Sequence, residues 1–412
     1  MMDKQLMLKI LSSENPEHEY HEHKKELNSI EIVSFVGEKG VINFLEKLPV
    51  FDIPKDFNKI TKVGEEKNKI TFNELAEYEK CKFFSNNIQK IKYIFEMDVN
   101  VASYLNTYYK DLKNKKSREK EKTSEFKSDV EKFLKYIKLN RDNFLLGYHM
   151  YLIENIIKNE IEGKEEVSEE IIIDNIEAME YLFNLQDEDE LSKKLQEVRK
   201  KAKNEIEEIK KIKKDFYYQI YSLLLKMFLI KNSISDKFDK IRELVKFINN
   251  ELNIYMEYEL LLCLMYLLED KKIKGEPEFF KESIKGSKMI KYVKGMAWDL
   301  AHFRLLQGEY LRKNREGIIV FPIIITADKG MKKVMEINKI IYFYFSDTDY
   351  GVVYENNIYQ YLSKYNSKKT EKILDDLLRG TEKRNRNVFK TNYKLLSEKI
   401  ENELKKYLDS KL

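Results

Sequence analysis

Val320-Phe321-Pro322-Ile323-Ile324-Ile325-Thr326-Ala327-Asp328-Lys329-Gly330 is the stretch on which the fold of this chain turns. An apolar run rich in β-branched residues reads as a buried strand, and it ends at Thr326-Ala327-Asp328, so a carboxylate falls at the carboxyl end of the strand, where α/β sheets carry their chemistry. A second run ends the same way. Lys92-Tyr93-Ile94-Phe95-Glu96-Met97-Asp98 passes from a short apolar strand into an acid and then into the helical pattern of Val101, Leu105 and Tyr108. Two strands thus deliver two aspartates to what is expected to be one edge of one sheet.

Working outward, strand and helix patterns alternate from Ala297: a helix to Leu311 with Asp299 at its start, the strand to Thr326, a helix over Lys329–Ile337, and a strand over Lys339–Phe345. Alternation of this kind predicts a parallel sheet. Upstream, a helix is expected after Asp98 to about Lys110, then one over Glu125–Leu139 and one over Asn143–Lys158 that carries Glu154. Residues 167–291 read as helical throughout, including one long helix over Leu191–Met227. So long a block between two pieces of one core predicts a helical insertion that folds on itself. Residues 1–88 favour short strands and are expected to form a small α+β module, and residues 371–412 read as lysine-rich helix. The expected domains are therefore 1–88, a first core segment 89–166, the insertion 167–291, a second core segment 292–370, and the C-terminal helices 371–412.

The 412 residues are 42% hydrophobic and 35% charged, with 5 Pro and 13 Gly. This describes a largely helical protein with enough apolar content for a sizeable core. With 75 Lys+Arg against 71 Asp+Glu the net charge is only +4, so any nucleic-acid contact must come from a local patch. Cys81 and Cys263 are expected to be free thiols rather than a disulfide. No secretory leader pattern is read at the N-terminus, and the apolar stretches Ile220–Ile230 and Leu260–Leu268 are too short for a bilayer span and read as core helices. The expectation is a cytoplasmic protein without membrane contact, and the Lys, Ile, Asn and Glu bias suggests a bacterial AT-rich genome. His18, His21 and His23 match no zinc spacing and read as solvated polar chain. Lys113–Lys122 carries five lysines and one arginine, but its two glutamates favour a solvated loop over a phosphate site.

Four acids stand out by position: Asp98 and Asp328 after strands, Glu154 on an apolar helix, and Asp299 near a helix start. Each has a plain structural explanation, such as helix capping or surface exposure. Gathered on one edge, they would repel one another unless a cation joined them, and hard carboxylate oxygens select Mg²⁺ or Mn²⁺ over zinc. Such a centre suits hydrolysis of a phosphodiester.

The motifs resemble those of PIN-like nucleases. Asp98-Val99-Asn100-Val101 after an apolar strand is similar to the opening D-x-N-V of that family, Trp298-Asp299-Leu300-Ala301-His302 resembles its third-acid helix, and Thr326-Ala327-Asp328-Lys329-Gly330 resembles its T-x-D segment. The resemblance covers roughly a third of the chain and implies a PIN-like three-layer α/β core with a central parallel sheet, here enlarged by the N-terminal module and the helical insertion. It implies divalent-metal roles for Asp98, Asp299 and Asp328, with Asn100 bracing Asp98 and RNA as the substrate. Glu154 matches the second acid by order alone, and Glu257 and Glu259 are its rivals. Thr326 and Lys329 are supporting candidates, for metal-bound water or Asp328 and for phosphate. His302 and Trp298 read as core residues, and Asp347 and Asp349 as a turn or further acids on the edge. The expectation is a metal-dependent ribonuclease, acting on RNA or DNA, in the setting of a toxin or antiviral effector, with a protein partner on the helical insertion. The alternative is a non-catalytic helical scaffold or regulatory module.

Overall fold

The computed structural model describes residues 22, 31–34, 42–44, 59–62, 71–73, 90–114, parts of 130–138, 144–163, 167–183, 188–274, 279–281, 287–313, 318–326, 334, 337–338, 340–345, 350–354, 356–365 and 367–410. The chain divides into two compact units. One comprises Met1–Ile212, Leu305–Asp328 and Ile340–Val353; the other comprises Lys213–Arg304, Lys329–Lys339 and Tyr354–Leu412.

The first unit contains two sheets. Among the described residues their strands are β1 (Glu31–Ser34), β2 (Ile42–Phe44), β3 (Lys59–Lys62), β4 (Thr71–Asn73), β5 (Lys90–Met97), β6 (Phe144–Gly147), β7 (Ile318–Thr326), β8 (Ile340–Phe345) and β9 (Tyr350–Tyr354). One sheet runs β2-β7-β5-β6, and its strands are parallel. The expected parallel sheet is therefore present, with both acid-bearing strands adjacent at its centre. Register pairs Met97 with Ile325, so the two strands end level.

The second sheet, β4-β3-β1-β8-β9, corrects two expectations. β8 pairs antiparallel with β1 instead of extending the parallel sheet. The strands of residues 1–88 do not form a module of their own, since β1 is completed by β8 and β2 by β7. These pairings join residues about as distant as the chain allows, and strand pattern alone carries no information on partner or direction.

Helix α1 (Val99–Asn114) follows β5 directly. After β6 come α2 (His149–Ile153), which continues through a π turn (Glu154–Lys158) and one more turn to Glu162, then α3 (Glu169–Phe183) and α4 (Glu188–Lys210). The helix expected over Asn143–Lys158 thus opens as strand: Phe144-Leu145-Leu146-Gly147 pairs with β5, and helix begins only at His149. Phe133 meets Phe95 and Phe183 edge-on, tying the strand to α3. Arg199 of α4 reaches Glu170, Asp174 and Glu177 of α3. Hence the block 167–291 is not one insertion. α3 and α4 belong to the first unit, and the long helix expected over Leu191–Met227 breaks at residues 211–214.

The second unit is helical: α5 (Asp215–Ser233), α6 (Lys237–Phe247) with a π turn at Ile248–Leu252, α7 (Glu257–Leu267), α8 (Lys271–Lys274), the first part of α9 (Ser287–Lys313), α10 (Ile358–Ser363), α11 (Lys368–Arg379), α12 (Thr381–Asn387) and α13 (Tyr393–Asp409). α5 and α7 are apolar nearly all round and buried, as the sequence predicts for core helices. α13 packs along α5, so the C-terminal segment is a packing element. Cys263 is a buried free thiol, and its burial pushes the thiol pKa up. No helix is long and apolar enough to cross a membrane among the described residues.

Candidate active site

Asp98 is held by three hydrogen bonds with two elements, β7 and α1. Its N–H donates to the carbonyl of Ile325 (3.1 Å), carrying the β5–β7 ladder one residue past the strand. Its Oδ1 accepts from the N–H of Val101 (2.7 Å), the N-cap bond of α1. Its Oδ2 accepts the hydroxyl proton of Thr326 (2.5 Å), a residue with no solvent exposure. Parallel pairing therefore brings Asp98 against Thr326, and the fixed hydroxyl orients the carboxylate. Asn100 is exposed in the first turn of α1 and makes no hydrogen bond among the described residues, so the expected bracing falls to Val101 and Thr326.

Sequence reading passed over Glu96. It sits on β5 two residues before Asp98 and is fully buried beside Gly147 of β6, its register partner. Its Oε2 accepts from the N–H of Met150, in the first turn of α2 (3.4 Å). The signal was a glutamate in the apolar second half of the strand, between Phe95 and Met97, since buried acids occur almost only where a specific partner holds them. Tyr148, next to Gly147, is buried and donates to Oε1 of Glu180 on α3 (2.9 Å). Burial, then the charges of Glu180, Glu205 and Glu96, push its phenol pKa well above the ordinary value. Tyr148 is therefore a fixed hydrogen-bond donor to this acidic group. Beyond it, Asn175 of α3 donates to Tyr151 (2.7 Å) and accepts from Asn106 of α1.

Glu154 opens the π turn that interrupts the helix after β6, half-buried and ion-paired with Lys158 one turn on. It belongs to the same unit as Asp98. Asp299 belongs to the second unit. It is not at a helix start, because α9 begins twelve residues earlier at Ser287, so a dipole-stabilised N-terminal acid is ruled out. Trp298 stacks on Tyr217 (centroids 4.5 Å) and His302 is buried within 5.9 Å of the indole, which supports the core reading of both. Of the rival acids, Glu259 is buried with Arg304 Nε at 3.4 Å and Glu257 lies in the first turn of α7, both in the second unit. Asp328, Lys329, Asp347, Asp349, the histidines 18–23 and most of Lys113–Lys122 lie outside the described residues.

The donor chemistry at Asp98 fits a hard divalent cation. Its oxygens are oriented by Val101 and Thr326, and carboxylate oxygens are the ligands that such a cation prefers. Among the described residues no three acids, histidines or cysteines converge as a complete ligand set, so Asp98 would need Asp328 or another acid beside it. Compared with family models, with curated proteins and with solved structures, the chain finds no match.

Proposed function

We propose that the chain is a metal-dependent ribonuclease of PIN-like type, with Asp98, Glu154, Asp299 and Asp328 as its acids and Mg²⁺ or Mn²⁺ as its cofactor. The observation that carries this is the Thr326–Asp98 hydrogen bond at the level ends of two central parallel strands. It joins two motifs 228 residues apart. Asp98 would hold the cation through its carboxylate, with Thr326 keeping the group from turning away. When bound, the metal supplies Lewis acidity toward a water and a phosphodiester oxygen. The protein's own part is to fix the carboxylates before substrate arrives. An antiviral or toxin setting, and a protein partner on the helices of 167–291, follow only from this reading.

One observation favours a second reading, the non-catalytic scaffold: Asp98 caps α1, which by itself accounts for an aspartate there. Asp98→Asn separates the two, because asparagine caps a helix as well as aspartate but is a poor ligand for a hard cation. On the nuclease reading, this variant keeps its far-UV spectrum and melting temperature while manganese-dependent cleavage of a labelled RNA, and the stabilisation that manganese gives the wild type, both disappear. A wild type that neither cleaves nor gains stability from manganese would leave Asp98 as a cap.

A further inference from the structure

The whole chain carries a net charge of +4, yet Arg379–Lys399 alone holds seven basic residues against two acidic ones. This is the local patch that the overall charge balance demands of any nucleic-acid contact. Some of its cations are already engaged. Arg384 is buried, Arg379 lies 3.9 Å from Asp375, Lys383 donates to Asn250 (2.6 Å), and Lys399 pairs with Glu251 (3.2 Å). Arg386, Lys390 and Lys394 are different: all three are exposed, and none has a carboxylate partner among the described residues. Arg386 donates only to the backbone carbonyl of Glu382 (3.4 Å). Elsewhere exposed cations such as Lys210 and Lys211 have found acids within 3.0 Å.

Among these three lies Phe389. It sits on a one-turn 3-10 segment (Val388–Lys390) between α12 and α13 and is 95% exposed, far beyond any other large apolar side chain described. A lone exposed leucine needs no explanation, but a fully presented phenyl ring within three residues of Arg386 and next to Lys390 combines a flat apolar face with unpaired positive charge. Proteins that grip single strands use this pair of features, with bases stacked on the ring and phosphates held by the cations. The ring is carried on a firm base. On the helix before it Arg384 donates to the carbonyl of Leu377 (2.9 Å), to Thr381 (2.9 Å) and to Asn249, and after it Asn392 caps α13 through the N–H of Leu395 (3.1 Å).

We propose that Phe389, with Arg386, Lys390 and Lys394 around it, is a stacking platform for single-stranded nucleic acid. A duplex, with its bases already stacked, offers the ring nothing. The platform stands independently of cleavage at Asp98, and binding measured in EDTA keeps the two questions apart.

The test is fluorescence anisotropy of the full chain with a labelled single-stranded RNA, the single-stranded DNA of the same sequence, and the duplex. The wild type should bind single strands saturably and more tightly than duplex, with the RNA and DNA arms telling which sugar it prefers. Phe389→Ala should weaken single-strand binding about tenfold, in the range for loss of one base stack, while Phe389→Trp restores it. Neutralising Arg386, Lys390 and Lys394 to Gln together should lower the slope of log affinity against log salt by about 2, at roughly 0.7 per phosphate on a single strand. Because all four side chains are exposed, unchanged circular dichroism is expected for every variant. The proposal is overturned by no saturable binding of the wild type, by variants that bind as it does, or by full rescue with Phe389→Leu. That last result would mark an apolar knob for a protein partner.

Discussion

Gly147 shows how much of the candidate site depends on a missing side chain. A Cβ there would lie 2.5 Å from both Glu96 Cδ and Ile94 Cγ2, so β6 can pair with β5 at this level only if the residue opposite Glu96 is glycine. Gly147→Ala should destabilise the protein by about 2 kcal/mol through overpacking, read as a lower urea midpoint with an unchanged slope. At this scale the sequence was partly readable. Asp98 and Thr326 declared themselves by ending apolar strands, and their contact is what such placement predicts. Glu96 did not, because a single acid within a strand reads as a solvent-facing position unless its neighbours are known. Asn100 looked like a brace by motif, but the first turn of α1 turns it to solvent.

Among the elements, legibility followed the length of the periodic pattern. α1, α3, α5, α7 and β7 were recognisable because ten or more residues, or a long β-branched run, speak for each. β6 was not, since Phe144-Leu145-Leu146-Gly147 runs straight into α2 with no turn residue beyond the glycine. The break between α4 and α5 was hidden by a lysine-rich, helix-favouring sequence lacking Gly or Pro, whereas the true start of α9 was legible in the helical spacing of Met289, Ile290, Val293, Met296 and Ala297 and was passed over. Arg384 offers a test of how elements are joined. Its guanidinium bonds the last turn of α11, Thr381 of α12 and Asn249 in the π turn after α6, over the ring of Tyr255 (5.7 Å). Burial pushes its pKa down, but it stays charged, with helix-end carbonyl and amide oxygens in place of a carboxylate. Arg384→Met keeps the stem and strands those acceptors, so a loss of about 3 kcal/mol is expected. Faster amide exchange in the last turn of α11 would locate the damage there.

Over the whole molecule, charge is nearly balanced, and acid sensitivity comes from particular clasps. Hydrogen bonds from Lys237 and Lys231 hold Glu269 down at about 2, against an ordinary 4.5. Because the folded-state value is the lower one, this stabilisation is fully present above pH 4.5 and fades as pH falls toward 2. Solvent screening keeps it below about 1 kcal/mol. In urea melts, Glu269→Gln should therefore be less stable than wild type near neutrality, with the gap closing through that acidic window. Which strands would meet was the least legible feature of all, because β1–β8, β2–β7 and β5–β7 join residues hundreds apart and leave no local trace. Those long reaches impose an order on biosynthesis. β5 leaves the ribosome more than two hundred residues ahead of β7, and at roughly 5–20 residues per second that means a wait of about ten to forty seconds. Throughout that interval one flank of β5 is a raw edge and Asp98 has no Thr326 to steady it, so a product truncated before Ile318 would be prone to stick to its neighbours and would lack a finished acidic pocket.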